Sequence, residues 1–236
     1  MKKLYACVII IFCVALAVAI GLNVIKTGEI VPPTETIDES IVSEPEIITD
    51  FSKTAFIGDS RTQGLMLYSG VADATYYTEM GLTVLDVVEK PIIDESKTII
   101  QALKDNNFER IYIMLGINEL GWAYSQSFED AYNRMLDEIE KNCPQTEIIL
   151  QTIMPVNVEL MKNPKDYLNN ERIMEFNDII KRISNTRQIK CLDIHGIMCD
   201  ENGNLYKEAS TDGIHLNLEF CHRWMKFLKG EKLDEI

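Results

Sequence analysis

From Phe51 onward, short apolar runs alternate with amphipathic stretches. That rhythm predicts a parallel β-sheet covered on both faces by helices. The runs expected as strands are Thr54–Ile57, Ala74–Tyr77, Arg110–Leu115, Glu147–Thr152 and Ile189–Ile194, each bounded by turn or helix signals. Between the third and fourth, Ser127 and Asp130 form a capping box, and Phe128, Tyr132, Met135 and Ile139 recur at helical spacing. Between the fourth and fifth, Ile173, Phe176, Ile180 and Ile183 do the same. A last helix is expected to start at an Asn217 cap and to bury Leu218, Cys221, Met225 and Leu228. The expected fold class is α/β, a five-stranded parallel sheet. In the flavodoxin-like order 2-1-3-4-5, strands one and three are neighbours whose carboxyl ends flank the crevice where ligands bind.

The first fifty residues follow a different pattern. Leu4 to Ile25 carries no charge, and as a helix it spans roughly 33 Å, enough for a bilayer core. Lys2 and Lys3 precede it, while Glu29, Glu35, Asp38 and Glu39 follow it. Residues 1–26 are therefore expected to be a cytoplasmic stub and a transmembrane signal anchor, with the remainder outside the plasma membrane. The competing reading is a cleaved signal and a secreted protein, since Ala15-Leu16-Ala17 and Ala17-Val18-Ala19 have suitable small residues. Residues 27–50 hold seven acids, no base and three prolines, the composition of a disordered, solvated stalk. The globular domain is expected over 51–236.

Charge narrows the list of partners. The 236 residues include 23 Lys+Arg against 37 Asp+Glu, a formal charge of −14, and no basic patch with interleaved aromatics stands out. Nucleic acid is excluded on that ground. Cys7 and Cys13 lie in the apolar leader, and Cys143, Cys191, Cys199 and Cys221 in the domain, without metal-ligand spacing. The domain cysteines read as core packing, and neither a metal nor a cofactor is expected.

Three short segments carry the candidate chemistry. Gly58-Asp59-Ser60 ends the first strand, Gly116-Ile117-Asn118-Glu119 ends the third, and Asp212-Gly213-Ile214-His215 precedes the last helix. A serine at a strand-to-helix junction sits beside free backbone N–H groups, where developing negative charge is favoured. Acyl transfer needs a nucleophile, a base, a group that orients the base, and donors for the oxyanion. Ser60 supplies the hydroxyl, His215 the base and Asp212 the orienting carboxylate. The Ser60 N–H, the Gly81 N–H and the Asn118 side-chain amide are the candidate oxyanion donors. Asp59 is expected to hold its turn through backbone hydrogen bonds. His195 and His222 lack an acid at the Asp-x-x-His spacing, and Asp193 is a minor rival to Asp212.

In these blocks the chain resembles the SGNH hydrolases, also called the GDSL esterase/lipase family. Gly58-Asp59-Ser60, Gly81, Gly116-x-Asn118 and Asp212-x-x-His215 match four family blocks in order, across Phe51 to Lys229. The resemblance implies a three-layer α/β/α sandwich and metal-free ester hydrolysis through an acyl-serine. Two positions depart from the pattern: Arg61 replaces the usual leucine, and Glu119 stands where aspartate is common. Arg61, Glu119 and Trp122 are thus candidate substrate-binding residues. Arg61 reads equally as a solvated or ion-paired side chain, Glu119 as a brace for the Asn118 loop, and Trp122 as packing. The expected function is a membrane-anchored extracytoplasmic esterase acting on short-chain acyl esters such as acetyl, on small acyl esters or acylated glycans of the cell envelope. An O-acyltransferase using the same triad and a non-catalytic carbohydrate-binding surface protein are the alternatives. Oligomeric state is not legible in the sequence.

Overall fold

A computed structural model of the chain describes residues 43–234. The expected membrane segment 4–25 and most of the expected stalk lie outside the described residues. Five parallel strands, β1 Thr54–Gly58, β2 Thr75–Thr78, β3 Arg110–Met114, β4 Glu147–Gln151 and β5 Lys190–Leu192, form one sheet in the order 2-1-3-4-5. That is the expected sheet, with boundaries shifted by one or two residues.

The alternation of side chains along each strand divides the core in two. Ala55, Ile57, Ile111, Ile113, Ile148, Leu150 and Cys191 point to one face. There they meet α2 (Val84–Glu89), α3 (Ile99–Lys104), α4 (Ser125–Asn142) and α5 (Asn170–Arg187). Phe56, Tyr112, Met114, Ile149 and Leu192 point to the other, under α1 (Ser60–Tyr68), α6 (Ile194–Met198) and α7 (Leu218–Leu228). On this second face the parallel register sets Phe56 beside both Tyr76 and Tyr112. Their rings stack with centroids 4.9 and 5.1 Å apart, an aromatic ladder across the three strands nearest the site.

The expected core faces of the long helices are buried: Phe128, Tyr132, Met135 and Ile139 on α4, and Ile173, Phe176, Ile180 and Ile183 on α5. Two local expectations need correction. Helix α4 begins at Ser125 after an uncapped Tyr124, so Ser127 and Asp130 fall inside its first turns. Ser127 donates its N–H to Tyr124, and the Asp130 carboxylate accepts from Gln126 instead of closing a box. On α7 the Asn217 side chain does cap, accepting the Phe220 N–H. Leu218 is 55% exposed, however, and Phe220 and Trp224 fill the core in its place. The Trp224 indole N–H donates to Gln151 at the end of β4, inside the core.

The last residues of the expected stalk run along the domain. Ser43 donates its N–H to the Cys191 carbonyl at 2.9 Å and Ile48 to the Lys229 carbonyl at 3.1 Å, while Glu46 pairs with Lys190. Their polar composition does not keep them free, because β5 and the end of α7 offer unpaired carbonyls beside them.

Candidate active site

β1 leads directly into α1, and the turn between them is tight. A Cβ on Gly58 would lie 1.9 Å from the Thr62 hydroxyl oxygen and 2.9 Å from the Met114 carbonyl oxygen. Only glycine fits there. Asp59 is the N-cap, buried, with its carboxylate accepting the Arg61 N–H at 2.8 Å, as the turn chemistry predicts. Burial raises its pKa against the opposing pull of the Arg61 charge. Ser60 is thereby the first helical residue, at the carboxyl end of the strand next to the switch point.

The Ser60 Oγ lies 2.9 Å from His215 Nε2, and His215 Nδ1 lies 2.7 Å from Asp212 Oδ2. These three residues, 155 positions apart at their extremes, form one continuous hydrogen-bonded line. The other Asp212 oxygen accepts the N–H groups of Ile214 and His215 and the Ser210 hydroxyl. Burial works to raise the Asp212 pKa, but those hydrogen bonds outweigh it and hold the carboxyl well below the usual range. The carboxylate therefore stays ionised beside the ring. Gly213 makes the loop possible: its φ is +80°, and a Cβ would sit 2.2 Å from the Asn157 carbonyl oxygen. Asn157 in turn donates its N–H to the Gly213 carbonyl at 2.9 Å, so the segment after β4 braces the loop that carries His215.

Ser60, Gly81, Asn118, Asp212 and His215 all line one cleft of about 780 Å3. Asn118 sits in a 3₁₀ turn, Ile117–Glu119, at the end of β3. One of its amide hydrogens is donated to the Leu82 carbonyl at 3.0 Å, leaving the other available. A hydroxyl bonded to an imidazole whose far nitrogen meets a carboxylate can be deprotonated as it attacks a carbonyl carbon. N–H groups around the same cleft can receive the oxyanion.

Of the three further candidates, Arg61 lines the cleft from beneath, and Glu119 and Trp122 do not line it. Arg61 is 2% exposed. Its guanidinium donates to the carbonyls of Met154 at 2.7 Å and Pro155 at 3.3 Å, under the floor of the cleft. Burial lowers its pKa to about 10, offset by Asp59 and Asp212, so it remains charged. Glu119 is completely buried and accepts the Val84 N–H at 2.7 Å. It faces the start of α2 and is not among the residues lining the cleft. Trp122 packs against the first core, and its carbonyl accepts from Arg172; it does not line the cleft either. Asp193 caps α6, accepting from Thr152 and Gly196. His195 is partly buried, which lowers its pKa, and His222 is exposed on α7.

One part of the cleft was not anticipated from the sequence. Leu160 to Leu168, including Lys162, Asn163, Lys165 and Tyr167, supplies a wall. The available signal was length: residues 152–169 connect β4 to α5 with only a short 3₁₀ turn, Val158–Leu160. Connections beyond about 12–15 residues are commonly functional.

The profile of the GDSL-like Lipase/Acylhydrolase family matches residues 56–220. Among solved structures, the chain is similar to a proposed platelet activating factor from Streptococcus pneumonia, at 22% identity and TM-score 0.60, covering 91% of this chain and 97% of that one. It is also similar to a GDSL-like lipase from Bacteroides thetaiotaomicron, at 14% identity and TM-score 0.55, covering 77% and 87%. A third similar structure is the periplasmic domain of a lipopolysaccharide acetyltransferase from Salmonella ser. Paratyphi A, at 19% identity and TM-score 0.54, covering 77% and 82%. At these identities the structural likeness concerns the fold.

Proposed function

This chain belongs to the GDSL-like Lipase/Acylhydrolase family, and from that premise we propose that it is a serine esterase removing short acyl groups such as acetyl from carbohydrate. The observation that carries the reading is the line from Ser60 Oγ through His215 to Asp212, at 2.9 and 2.7 Å, opening on the cleft. In this reading Ser60 Oγ attacks the ester carbonyl while His215 Nε2 takes its proton and Asp212 stabilises the imidazolium. The oxyanion is received by the N–H groups of Ser60 and Gly81 and the free hydrogen of the Asn118 amide. Collapse expels the alcohol, which takes the proton back from His215, and leaves an acyl-serine. Water, deprotonated by the same nitrogen, then releases the carboxylic acid and restores Ser60.

The location follows from the sequence. The uncharged run 4–25 behind Lys2 and Lys3 anchors the protein in the plasma membrane with residues 51–236 outside, near envelope glycans. The test is direct. Ser60→Ala is expected to abolish hydrolysis of nitrophenyl acetate, and a phosphonate probe is expected to label Ser60 in the unaltered chain. Unchanged turnover in that variant removes Ser60 from the mechanism.

A second reading passes the acyl group to a sugar hydroxyl instead of water, through the same acyl-serine. The likeness to the acetyltransferase domain is what recommends it. Adding a glycan acceptor and analysing products separates the two: acylated glycan supports transfer, free acid supports hydrolysis.

A further inference from the structure

We propose that the ester acted on carries an anionic group, phosphate or carboxylate, on its alcohol side, and that Lys162 and Lys165 select for it. The inference rests on the esterase reading and narrows its substrate class. The chain as a whole is strongly acidic, at −14, yet its cleft is not. Asp212 is the one carboxylate among the lining residues, and it is engaged by His215. At the floor, the Arg61 charge is offset by Asp59 and Asp212. What remains uncompensated is Lys162 and Lys165 on the wall.

Neither lysine is used for anything else among the described residues. Lys162 has no ion-pair partner there, and Lys165 has only the Tyr167 ring, 5.6 Å from its Nζ. Some exposed lysines of this acidic surface are paired, Lys53 with Glu109 and Lys90 with Glu79, each at 2.8 Å, and others such as Lys104 and Lys207 are not, among the described residues. What sets Lys162 and Lys165 apart is that they line the cleft. The acids of the same segment, Glu159 and Asp166, are not among the lining residues, so the segment turns its bases to the cleft.

The wall is also held in place. Asn157 bonds to Gly213 and, through its side-chain amide, to the Leu205 carbonyl. Further along, Leu168 donates its N–H to the Lys165 carbonyl at 2.8 Å. Apolar lining from Ile117, Leu160, Met161 and Ile214 suits the acyl portion, leaving the cations for the alcohol side. Lysine is a point charge on a flexible stem, without the fork that arginine offers. Both phosphate and carboxylate are therefore accepted, and the attraction is screened by salt.

The experiment uses the full-length chain in detergent and three matched acetyl esters: of a neutral methyl glucoside, of glucuronate and of glucose phosphate. Nitrophenyl acetate serves as the activity control. An exposed charge contact changes affinity by about 1.5–5-fold. At about 20 mM salt the anionic esters are thus expected to exceed the neutral one in kcat/KM by roughly 3–10-fold, carried by KM, and to approach parity at about 500 mM. The double variant Lys162→Gln, Lys165→Gln is expected to bring the anionic-to-neutral ratio to about one, and the double Lys→Glu variant to push it below one. The better of the two anionic esters identifies the source chemistry. A ratio near one in the unaltered chain, or a ratio that survives both double variants, overturns the proposal while the esterase reading stands. Turnover of nitrophenyl acetate with none of the sugar esters cleaved overturns the proposal and the carbohydrate substrate, and leaves ester hydrolysis by Ser60 standing. Failure to cleave any of the four esters overturns both.

Discussion

Replacing Glu119 by glutamine tests how a buried acid is held beside the site. In the native chain the side chain is fully buried, one oxygen accepts the Val84 N–H, and the other has no hydrogen-bond partner among the described residues. Burial raises its pKa from 4.5 to about 8; the Val84 N–H opposes the shift, and Asp59 and Asp86 add to it. The Tyr132 ring carries its hydroxyl into the same interior, itself raised by burial and by Glu119. Between pH 4.5 and about 8 the folded chain therefore binds a proton that the unfolded chain has released. Its contribution to stability is complete below the lower value and is lost as pH rises through the upper one. The gap corresponds to about 3–5 kcal/mol. Glutamine keeps an oxygen for Val84 and never ionises. Stability, measured by urea unfolding with tryptophan fluorescence, is expected to be similar for both chains near pH 5. By about pH 9 the glutamine variant is expected to be the more stable by that 3–5 kcal/mol. Groups remote from Glu119 cancel in the difference between the two chains. A difference that stays flat with pH refutes a protonated Glu119 and means that its carboxylate is ionised in the fold.

Other substitutions separate chemistry from support. Asn118→Ala is expected to lower kcat by about 100–1000-fold, or 2.7–4 kcal/mol, if its amide meets the oxyanion; steady-state kinetics with a loss below about tenfold would remove it as a main donor. Gly213→Ala forces a Cβ against the Asn157 carbonyl at a positive φ, so it is expected to displace His215 and reduce kcat far more than KM. Unaltered kinetics in that variant would show that the loop accommodates the side chain. Arg61→Met removes two charge-assisted hydrogen bonds to buried carbonyls and is expected to cost about 3 kcal/mol of stability in urea unfolding. A raised KM with unchanged stability would return Arg61 to the substrate-contact role that its sequence position suggested.

The sheet was legible because a covered parallel strand is apolar along its length and its neighbours are set by short helical crossovers. Ser60, Asp212 and His215 were legible because each occupies a fixed place relative to an element end. Arg61 was not. On a first helical turn a charged side chain is expected in water, and what buries it is a pair of carbonyls more than ninety positions away, which no local pattern reveals. The capping box at Ser127 failed for a related reason: the helix starts three residues earlier than a Ser127 cap would set it, at Ser125, after a Tyr124 that makes no side-chain cap. Leu218 follows its cap so closely that it points outward, and the apolar stripe of α7 begins at Phe220. The cleft wall Leu160–Leu168 has neither period, so only its length marked it.

One of the two departures from the family's motif, Glu119, works together with the motif residue beside it, Asn118. Asn118 and Glu119 are consecutive, and both reach the same segment after β2. Asn118 donates to the Leu82 carbonyl at 3.0 Å, and Glu119 accepts the Val84 N–H at 2.7 Å. Leu82 follows Gly81 directly, so the two side chains fix the segment that carries Gly81, a residue of the cleft lining and, in the esterase reading, an oxyanion donor. Thr83, between them, closes the start of α2 by a capping box with Asp86. An oxyanion site works only to the extent that its donors are in place before charge develops. Two loops that depend on each other through buried hydrogen bonds meet that requirement better than either alone, since moving one leaves a buried Val84 N–H unsatisfied, at about 1–3 kcal/mol. Glu119 thus acts on Gly81 and Asn118 through the backbone rather than on the substrate, and the longer glutamate reaches the Val84 N–H from the end of β3.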